Sequence, residues 1–167
     1  GEIREKEFDK ISEELKLYDN KILNVPELQD NINLKWDKKE VAKQIKEMID
    51  NNSDIKTILT FDGNGVTKHP NHISCNDGLK YYLEIYGGEI KNKGVKVYFL
   101  DSFNFALQYT FITPFLNYLF KSNGYFCMTC YNSFIWMRFY ESQFNLLRKA
   151  HVMMSGYSFF NSYTKYE

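Results

Sequence analysis

The sequence predicts an α/β domain, in which a mostly parallel sheet is flanked by helices. Apolar, β-branched runs alternate with helix-like patterns along the chain, as expected for strands joined by crossover helices. A glycine-containing loop links one such run, beginning at Ile55, to a helix-permissive segment that extends to Tyr86. The chain has 167 residues, which suits a single domain covering residues 1–167.

The first 52 residues predict two helices separated by a short strand and a polar loop. The first helix covers residues 1–18, with an apolar stripe formed by Ile3, Phe8, Ile11 and Leu15. A strand is predicted at Lys21–Val25, and residues 26–36 form the loop. Asp37 begins the second helix in a capping-box-like pattern. That helix ends near Asn51-Asn52 and is expected to bury Val41, Ile45, Met48 and Ile49.

The later elements follow from the same patterns. A strand ends at Asp62, and the helix after it is expected to stop at Gly87-Gly88. The remaining predictions are a strand at Val95–Leu100, a loop with a short helix over residues 101–123 that Pro114 interrupts, a strand at Tyr125–Cys130, and a helix at Phe134–Met153.

Composition excludes several classes of function. Lysine plus arginine equals aspartate plus glutamate, 21 each, so no basic field predicts nucleic-acid binding. No signal-peptide pattern follows Gly1. The most apolar segment, Phe103–Phe120, contains Asn104, Gln108 and Asn117 and is therefore not a membrane span. That segment suits either ordinary core packing or a face resting on a membrane.

The stretch from Thr60 to His72 concentrates the residues suited to chemistry. It holds two of the three histidines, and Pro70 suits a first helical position. His69 and His72 are three residues apart, so they share one face of the helix start. Beside Asp62, at the end of a strand, these imidazoles suit a metal or hydrolytic site. The plainer interpretation is a pair of exposed histidines at a helix start.

This stretch reads Thr60-Phe61-Asp62-Gly63-Asn64-Gly65-Val66-Thr67-Lys68-His69-Pro70-Asn71-His72. It resembles the motif T-F-D-x-x-G-V-S-x-H-x-N-H of the LmbE-like de-N-acetylases, most closely the branch acting on GlcNAc-phosphatidylinositol. Other segments also resemble that branch: Gly1, Arg4 and Glu7 match G-x-x-R-x-x-E, and Leu34-Lys35-Trp36-Asp37, Ser142-Gln143, Leu147-Arg148-Lys149, Tyr157 and Asn161-Ser162 match later segments. Tyr140 stands where the branch usually has histidine.

The resemblance implies a Rossmann-like (LmbE-like) fold and hydrolysis of an acetamide with the help of zinc (Zn2+). It implies that His72 is a metal ligand and that His69 stabilises the tetrahedral intermediate. Asp62 is placed with His69 among the catalytic residues, in the role of orienting His69 or its loop. Arg4, Gly65 and Asn71 are expected to contact substrate.

The family's first metal-binding motif, A-H-P-D-D-E, does not occur in this sequence. We therefore expect an N-terminally truncated domain that lacks the first strand of its sheet. One matched ligand is too few for a catalytic zinc, which usually has three protein ligands. We expect this chain alone to be inactive and not to retain zinc.

Two other classes of function stay open. One is a catalytically inactive partner protein. The other is a Cys2His2 structural-zinc module using His69, His72, Cys127 and Cys130, although the gap between the pairs differs from known finger spacings. A redox role for Cys127 and Cys130 is a further possibility, but C-x-x-C redox sites open a helix, whereas a strand is predicted here.

The resemblance also implies the partners and the location. The expected substrate is the glycolipid GlcNAc-phosphatidylinositol, and the expected product is its glucosaminyl form, an early intermediate of GPI-anchor biosynthesis. The membrane surface is the other expected partner. The expected location is the cytoplasmic face of the endoplasmic reticulum membrane.

Overall fold

The computed structural model describes residues 1–104, 108–110, 116, 119–120, 124–126 and 131–166. The chain divides into two compact units. Unit 1 consists of Gly1–Leu23 and Phe105–Asn161, and unit 2 consists of Asn24–Asn104 and Ser162–Glu167. The prediction of one domain over residues 1–167 stays a prediction.

Unit 2 contains the larger set of strands and helices. In chain order these are α2 (Lys38–Asn51), β1 (Thr57–Phe61), the one-turn α3 (Gly65–Lys68), α4 (Pro70–Asn92), β2 (Lys96–Leu100) and most of β4 (Phe160–Lys165). A short 3-10 turn, Pro26–Leu28, precedes α2.

The sheet of unit 2 is built around a parallel pair. β1 and β2 are parallel, with Thr57 opposite Lys96 and Phe61 opposite Leu100. Helix α4 connects them, as a parallel pair requires a crossover. β4 lies on the other side of β2 and runs antiparallel to it. The predicted α/β class with flanking helices is confirmed, and the described sheet combines parallel and antiparallel pairing.

The core of unit 2 lies between the sheet and the two long helices. Its buried members come from α2, α4 and β2: Ala42, Ile49, Leu79, Tyr82, Leu83, Ile90, Val97 and Phe99. Gly78 brings α4 against α2, because a Cβ atom at this position would overlap the side chain of Val41. Only glycine at this position allows the two helices to pack so closely. The contact holds α4 in place behind the sheet.

Helix α2 begins where the sequence indicates. The Asp37 carboxylate accepts a hydrogen bond from the Lys39 amide at 2.6 Å, so it satisfies one of the free N–H groups of the first turn. Val41 and Ile49 are buried as predicted. Met48, predicted to be buried, is 43% exposed.

Helix α4 extends beyond its predicted end. It passes through Gly87-Gly88 and ends at Asn92, followed by Gly94 at φ +68°. Burial of Leu83 and Ile90 on either side of the two glycines stabilises this part of the helix. The left-handed residue that stops a helix is therefore Gly94 rather than Gly87.

The strand predicted at Lys21–Val25 is wrong. These residues form neither helix nor strand and belong to no sheet within the described part of the chain. Ile22 is 48% exposed, so the segment lacks a buried face that would set the register of a strand.

Unit 1 contains α1 (Glu2–Glu14), β3 (Gly124–Phe126), α5 (Tyr131–Met137) and α6 (Leu146–Met154). β3 pairs with β4, which begins in this unit at Phe160. Of the predicted apolar stripe of α1, Ile11 is buried and Ile3 is 67% exposed. The inward face of α1 instead includes the polar residues Glu7 and Ser12.

The helix predicted at Phe134–Met153 is two helices. Residues 138–145 form turns between α5 and α6, and the side chain of Asn145 caps α6 by accepting a hydrogen bond from the Arg148 amide at 2.9 Å. The predictions for Pro114, for most of Phe103–Phe120 and for residues 127–130 lie outside the described residues. None of the described helices is long and apolar enough to cross a bilayer.

Candidate active site

Asp62, directly after β1, organises the loop that carries the motif. Its Oδ1 accepts hydrogen bonds from the amides of Asn64 and Gly65 at 3.0 and 3.1 Å. Ser102, two residues after the end of β2, donates to the same carboxylate through its hydroxyl at 2.6 Å and its amide at 2.8 Å. Asp62 therefore joins the carboxyl ends of two parallel strands, where sites in α/β sheets lie.

The backbone of this loop is strained next to the histidines. Val66 has φ 65° and ψ −60°, a conformation that is costly for a β-branched residue. Its amide donates to the Ser102 hydroxyl at 2.8 Å, which compensates part of that cost. Gly65 has φ +56°, and a Cβ atom there would lie 3.0 Å from the Cβ atom of His72. Gly65 thus allows the loop and the helix start to approach closely.

His72 is held by two contacts at the end of β1. Its ring stacks on Phe61, with centroids 4.1 Å apart and planes inclined by 12°. Its Nδ1 atom lies 3.0 Å from the carbonyl oxygen of Gly65. A carbonyl only accepts, so this hydrogen bond places the proton of the neutral ring on Nδ1 and leaves the lone pair on Nε2.

His69 has the opposite hydrogen bonding at its Nδ1 atom. It is the N-cap residue of α4, and its Nδ1 atom accepts a hydrogen bond from the Asn71 amide at 3.3 Å. The proton of the neutral ring is therefore on Nε2, which lies 4.0 Å from Oδ1 of Asp30. The His69 and His72 rings are 5.0 Å apart. His72 thus presents a lone pair on Nε2, and the adjacent His69 presents an N–H group.

The two asparagines of α4 near this pair are buried and partly unpaired. Asn71 donates to Asp30 Oδ1 at 2.8 Å, and Asn76 donates to the carbonyl of Phe61 at 2.8 Å. Within the described residues, the Oδ1 atoms of Asn71 and Asn76 have no hydrogen-bond partner. A buried acceptor without a partner is costly, so these oxygens suit a donor that is not part of the described structure.

The segment before α2 lies beside the start of α4. The Trp36 amide donates to the Ser74 hydroxyl at 3.0 Å, and Lys35 forms an ion pair with Asp77 at 2.7 Å. These contacts keep the preceding loop, with Asp30, next to His69. The sequence gives no signal for Asp30 itself, because nothing in its neighbourhood marks it as different from the other polar loop residues.

Asp62, Gly65, His69, Asn71 and His72 are brought together in unit 2, whereas Arg4, the remaining predicted site residue, belongs to unit 1. With the Gln143 amide oriented so that its oxygen faces the guanidinium, Arg4 donates to Oε1 of Gln143 from Nη2 at 2.9 Å. It lines a cavity of about 670 Å³. The cavity is also lined by the start of α1, the turn before α6 and α6 itself, through Gly1, Glu2, Ile3, Ser142, Gln143, Asn145 and Arg148.

A second polar cluster in unit 1 was missed by reasoning from the sequence. The buried carboxylate of Glu7 accepts hydrogen bonds from the Ser142 amide at 2.8 Å and from the Ser142 hydroxyl at 2.7 Å. These bonds hold the pKa of Glu7 below its usual value. Ser142 precedes Gln143, so two segments that were related to one family by resemblance meet here. That resemblance is the signal in the sequence that could have pointed to the contact between Glu7 and Ser142.

Ser102, the partner of Asp62, was also missed. Its position shortly after the predicted strand β2 is the signal that could have pointed to it.

A metal site is not complete among these residues. Across the described ranges, no group of three histidine, cysteine, aspartate or glutamate side chains is arranged to hold a metal ion. Cys75 is half-buried, and burial raises the pKa of its thiol, which makes it a poor ligand. Cys127 and Cys130 lie outside the described residues, so their proposed use with His69 and His72 stays a prediction.

A family model described as PIG-L: GlcNAc-PI de-N-acetylase matches residues 1–83. The matched part includes α1 with Arg4 and Glu7, the whole loop after β1, and both histidines. Residues 1–83 of the chain therefore belong to the PIG-L family. The resemblance inferred from the motif is thereby confirmed.

Two curated relatives extend this match. The probable N-acetylglucosaminyl-phosphatidylinositol de-N-acetylase of Schizosaccharomyces pombe is 33% identical over 111 residues, which are 65% of this chain and 42% of that protein. A protein of the same name from Dictyostelium discoideum is 29% identical over 194 aligned positions, covering 97% of this chain and 75% of that protein. The first match spans less than half the length of its protein. No solved structure matches the chain at a significant level.

Proposed function

We propose that the protein containing this chain hydrolyses the acetamide of GlcNAc-phosphatidylinositol, releasing acetate and glucosaminyl-phosphatidylinositol. The observation that carries the proposal is the opposite hydrogen bonding of the two imidazoles, His69 and His72. Amide hydrolysis needs an electrophilic centre that activates water and a donor for the oxyanion. A lone pair on one ring and an N–H group on its neighbour suit these two tasks.

His72 fits the role of a metal ligand. A metal-binding imidazole usually donates its other ring N–H to a carbonyl or carboxylate, which fixes the tautomer and the direction of the lone pair. The Gly65 carbonyl provides such a partner at 3.0 Å, and stacking on Phe61 fixes the ring plane. A zinc ion bound there would lower the pKa of water and polarise the acetyl carbonyl. Its other protein ligands would be residues outside the described ranges.

His69 fits the role of oxyanion donor. Its Nε2–H group is available because Nδ1 accepts from the Asn71 amide. Asp30 lies 4.0 Å from Nε2, too far for a hydrogen bond, so the donor is not committed to it. His69 would donate this hydrogen bond to the carbonyl oxygen as negative charge develops on it.

Asp62 is proposed to orient the loop rather than to contact the substrate. Its two oxygens accept hydrogen bonds from three amides and one hydroxyl. The loop that it holds supplies the Gly65 carbonyl, which in turn holds His72. Contacts of Arg4, Gly65 and Asn71 with the substrate stay predictions.

The proposed location is the cytoplasmic face of the endoplasmic reticulum membrane, in GPI-anchor biosynthesis. The names of both relatives specify a phosphatidylinositol glycolipid, whose acyl chains keep it in a bilayer. The alternative of an inactive partner protein shares the family and the location but predicts no turnover.

The test is acetate release from GlcNAc-phosphatidylinositol by the complete protein, measured by mass spectrometry. His72→Ala and His69→Ala should each lower turnover by about a hundredfold or more, since each removes a group used in the transition state. His151→Ala is the matched control, because His151 contacts Tyr109 in unit 1 and is not part of the motif. Absence of turnover in the complete wild-type protein would favour the inactive partner.

A further inference from the structure

Helix α6 presents its apolar face outward. Leu146 is 80% exposed, Leu147 is 81%, Met153 is 54% and Met154 is 57%. Ala150, between them, is also exposed. At 3.6 residues per turn, these five side chains share an arc of about 120°. We call this surface the α6 apolar face.

The opposite side of the helix is anchored within unit 1. Val152 is buried, and the Nδ1 atom of His151 lies 3.2 Å from the hydroxyl of Tyr109. Asn145 caps the first turn. These contacts fix the rotation of the helix about its axis. The outward position of the apolar side chains is therefore a property of the packed helix and not of a frayed end.

The charged side chains of helix α6 itself are positive. Arg148 and Lys149 lie on the same helix, and no aspartate or glutamate occurs between Ser142 and Tyr166. From residue 102 to residue 166 the sequence has one acidic residue, Glu141, against five basic ones, Lys121, Arg138, Arg148, Lys149 and Lys165. The whole chain has no net charge, so this positive balance is local.

We propose that the α6 apolar face docks on the surface of an anionic lipid bilayer, with Leu146 and Leu147 inserted among the acyl chains. A short helix with an apolar face and flanking cations binds in the interface plane, where apolar burial and attraction to anionic headgroups act together. The inference rests on the proposed function only in that a phosphatidylinositol substrate lies in such a bilayer.

A lipid surface fits this face better than a second copy of the chain. A stable dimer interface usually involves about 20–30 residues from each partner, whereas the α6 apolar face offers five side chains. Two copies would also bring Arg148 and Lys149 of both chains together, and like charges disfavour that association. An anionic membrane has the complementary charge and adapts to a small apolar surface.

The experiment is sedimentation of the purified protein with vesicles of phosphatidylcholine, with or without phosphatidylinositol as the anionic lipid. We expect binding to the anionic vesicles that weakens at high salt. Exchange of two inserted leucines for charged residues, L146E/L147E, should weaken it at least about tenfold. Ile85→Glu is the matched control, since Ile85 is 53% exposed on α4 in unit 2 and should not affect binding.

A second variant tests the depth of insertion without removing apolar surface. Leu147→Trp should show fluorescence that brominated acyl chains quench, while Ile85→Trp should show none beyond the signal of the wild type. The vesicles contain no acetylated glycolipid, so the outcome is independent of catalysis. Binding of wild type and L146E/L147E with equal strength would overturn the proposal. So would the absence of vesicle binding, or a dimer in solution that only L146E/L147E dissociates.

Discussion

The ring of His72 lies flat against the ring of Phe61, with centroids 4.1 Å apart and planes inclined by 12°. Phe61 is the last residue of β1, so the imidazole is positioned by the strand and not only by its own helix. The carbonyl of Gly65 then selects its tautomer. The direction of the Nε2 lone pair therefore depends on the strand, the loop and the helix together.

The two histidines of the motif, His69 and His72, should differ in tautomer. Long-range proton–nitrogen correlation spectra should show His72 protonated on Nδ1 and His69 protonated on Nε2, at a pH where both rings are neutral. The reason is that a carbonyl accepts from His72, whereas an amide donates to His69. His72→Ala and His69→Ala provide the assignments. Identical tautomers would contradict the geometry described for one of the two rings.

Substitution of the same two histidines should affect zinc content differently in the complete, zinc-loaded protein. His72→Ala should lower zinc content together with turnover, since it removes a ligand. His69→Ala should keep zinc and lower kcat by roughly 10² to 10³, the usual effect of losing one oxyanion donor. Zinc content by plasma mass spectrometry, measured beside kcat, distinguishes the two. Equal zinc loss in both variants would show that the roles are misassigned.

The chain of 167 residues should not retain zinc by itself. Only His72 is oriented as a ligand among the described residues, and a bound zinc usually needs three or four protein ligands. Metal analysis after dialysis should therefore find far less than one zinc per chain. Stoichiometric zinc that is lost in Cys127→Ser and Cys130→Ser variants would instead establish the structural-zinc module.

Two glycines of α4 should respond to alanine in opposite directions. Gly78→Ala should lower the free energy of unfolding by about 1–3 kcal/mol, because its Cβ atom would overlap Val41 and force α2 and α4 apart. Gly88→Ala should raise it by roughly 0.5–1 kcal/mol, because nothing lies within 4 Å and alanine favours the helix. Urea unfolding of both variants measures this. Stabilisation by Gly78→Ala would show that the helices are farther apart than described.

The contact between Glu7 and Ser142 should make unit 1 sensitive to acid. Hydrogen bonds from the Ser142 amide and hydroxyl lower the pKa of Glu7 below its ordinary value of 4.5. Stability from this contact is therefore present above the unfolded-state pKa and is lost as the pH falls through the lower folded-state pKa. The melting temperature of Glu7→Gln should be reduced at neutral pH and should depend less on pH below about 5.

The control for this acid dependence is Glu5→Gln, at an exposed position of the same helix. It should melt like the wild type at neutral pH. If Glu7→Gln kept the full acid dependence of the wild type, the Glu7 contact would not be its source.

Local patterns were sufficient for the centre of the chain. The change from β-branched residues to glycines and then to Pro70 predicts a strand, a loop and a helix start, and β1, the loop and α4 have this order. Asp37 can be recognised from the sequence as the cap of α2, because its carboxylate accepts a hydrogen bond from an amide only two positions away. These features depend on neighbours in sequence, which a single sequence displays.

The predictions that were wrong concern elements whose ends depend on contacts between residues far apart in the sequence. Gly87-Gly88 signals a helix stop, but burial of Leu83 and Ile90 carries α4 onward to Asn92. The pattern from Phe134 to Met153 is helical throughout, yet Ser142 is bound to Glu7, 135 positions earlier in the chain, in the turn between α5 and α6. Local propensity is worth only tenths of a kilocalorie per residue, so such contacts override it.

By itself, the sequence determined the α/β class, the family, and the pair His69 and His72 with Asp62 near the end of a strand. Only the tertiary structure decided what each of these groups does. Ser102 reaches Asp62 from 40 positions away, Gly65 accepts from one imidazole, and the Asn71 amide donates to the other. The reason is physical: a residue's type states which hydrogen bonds it can make, but only the folded chain selects its partners and so its protonated atom.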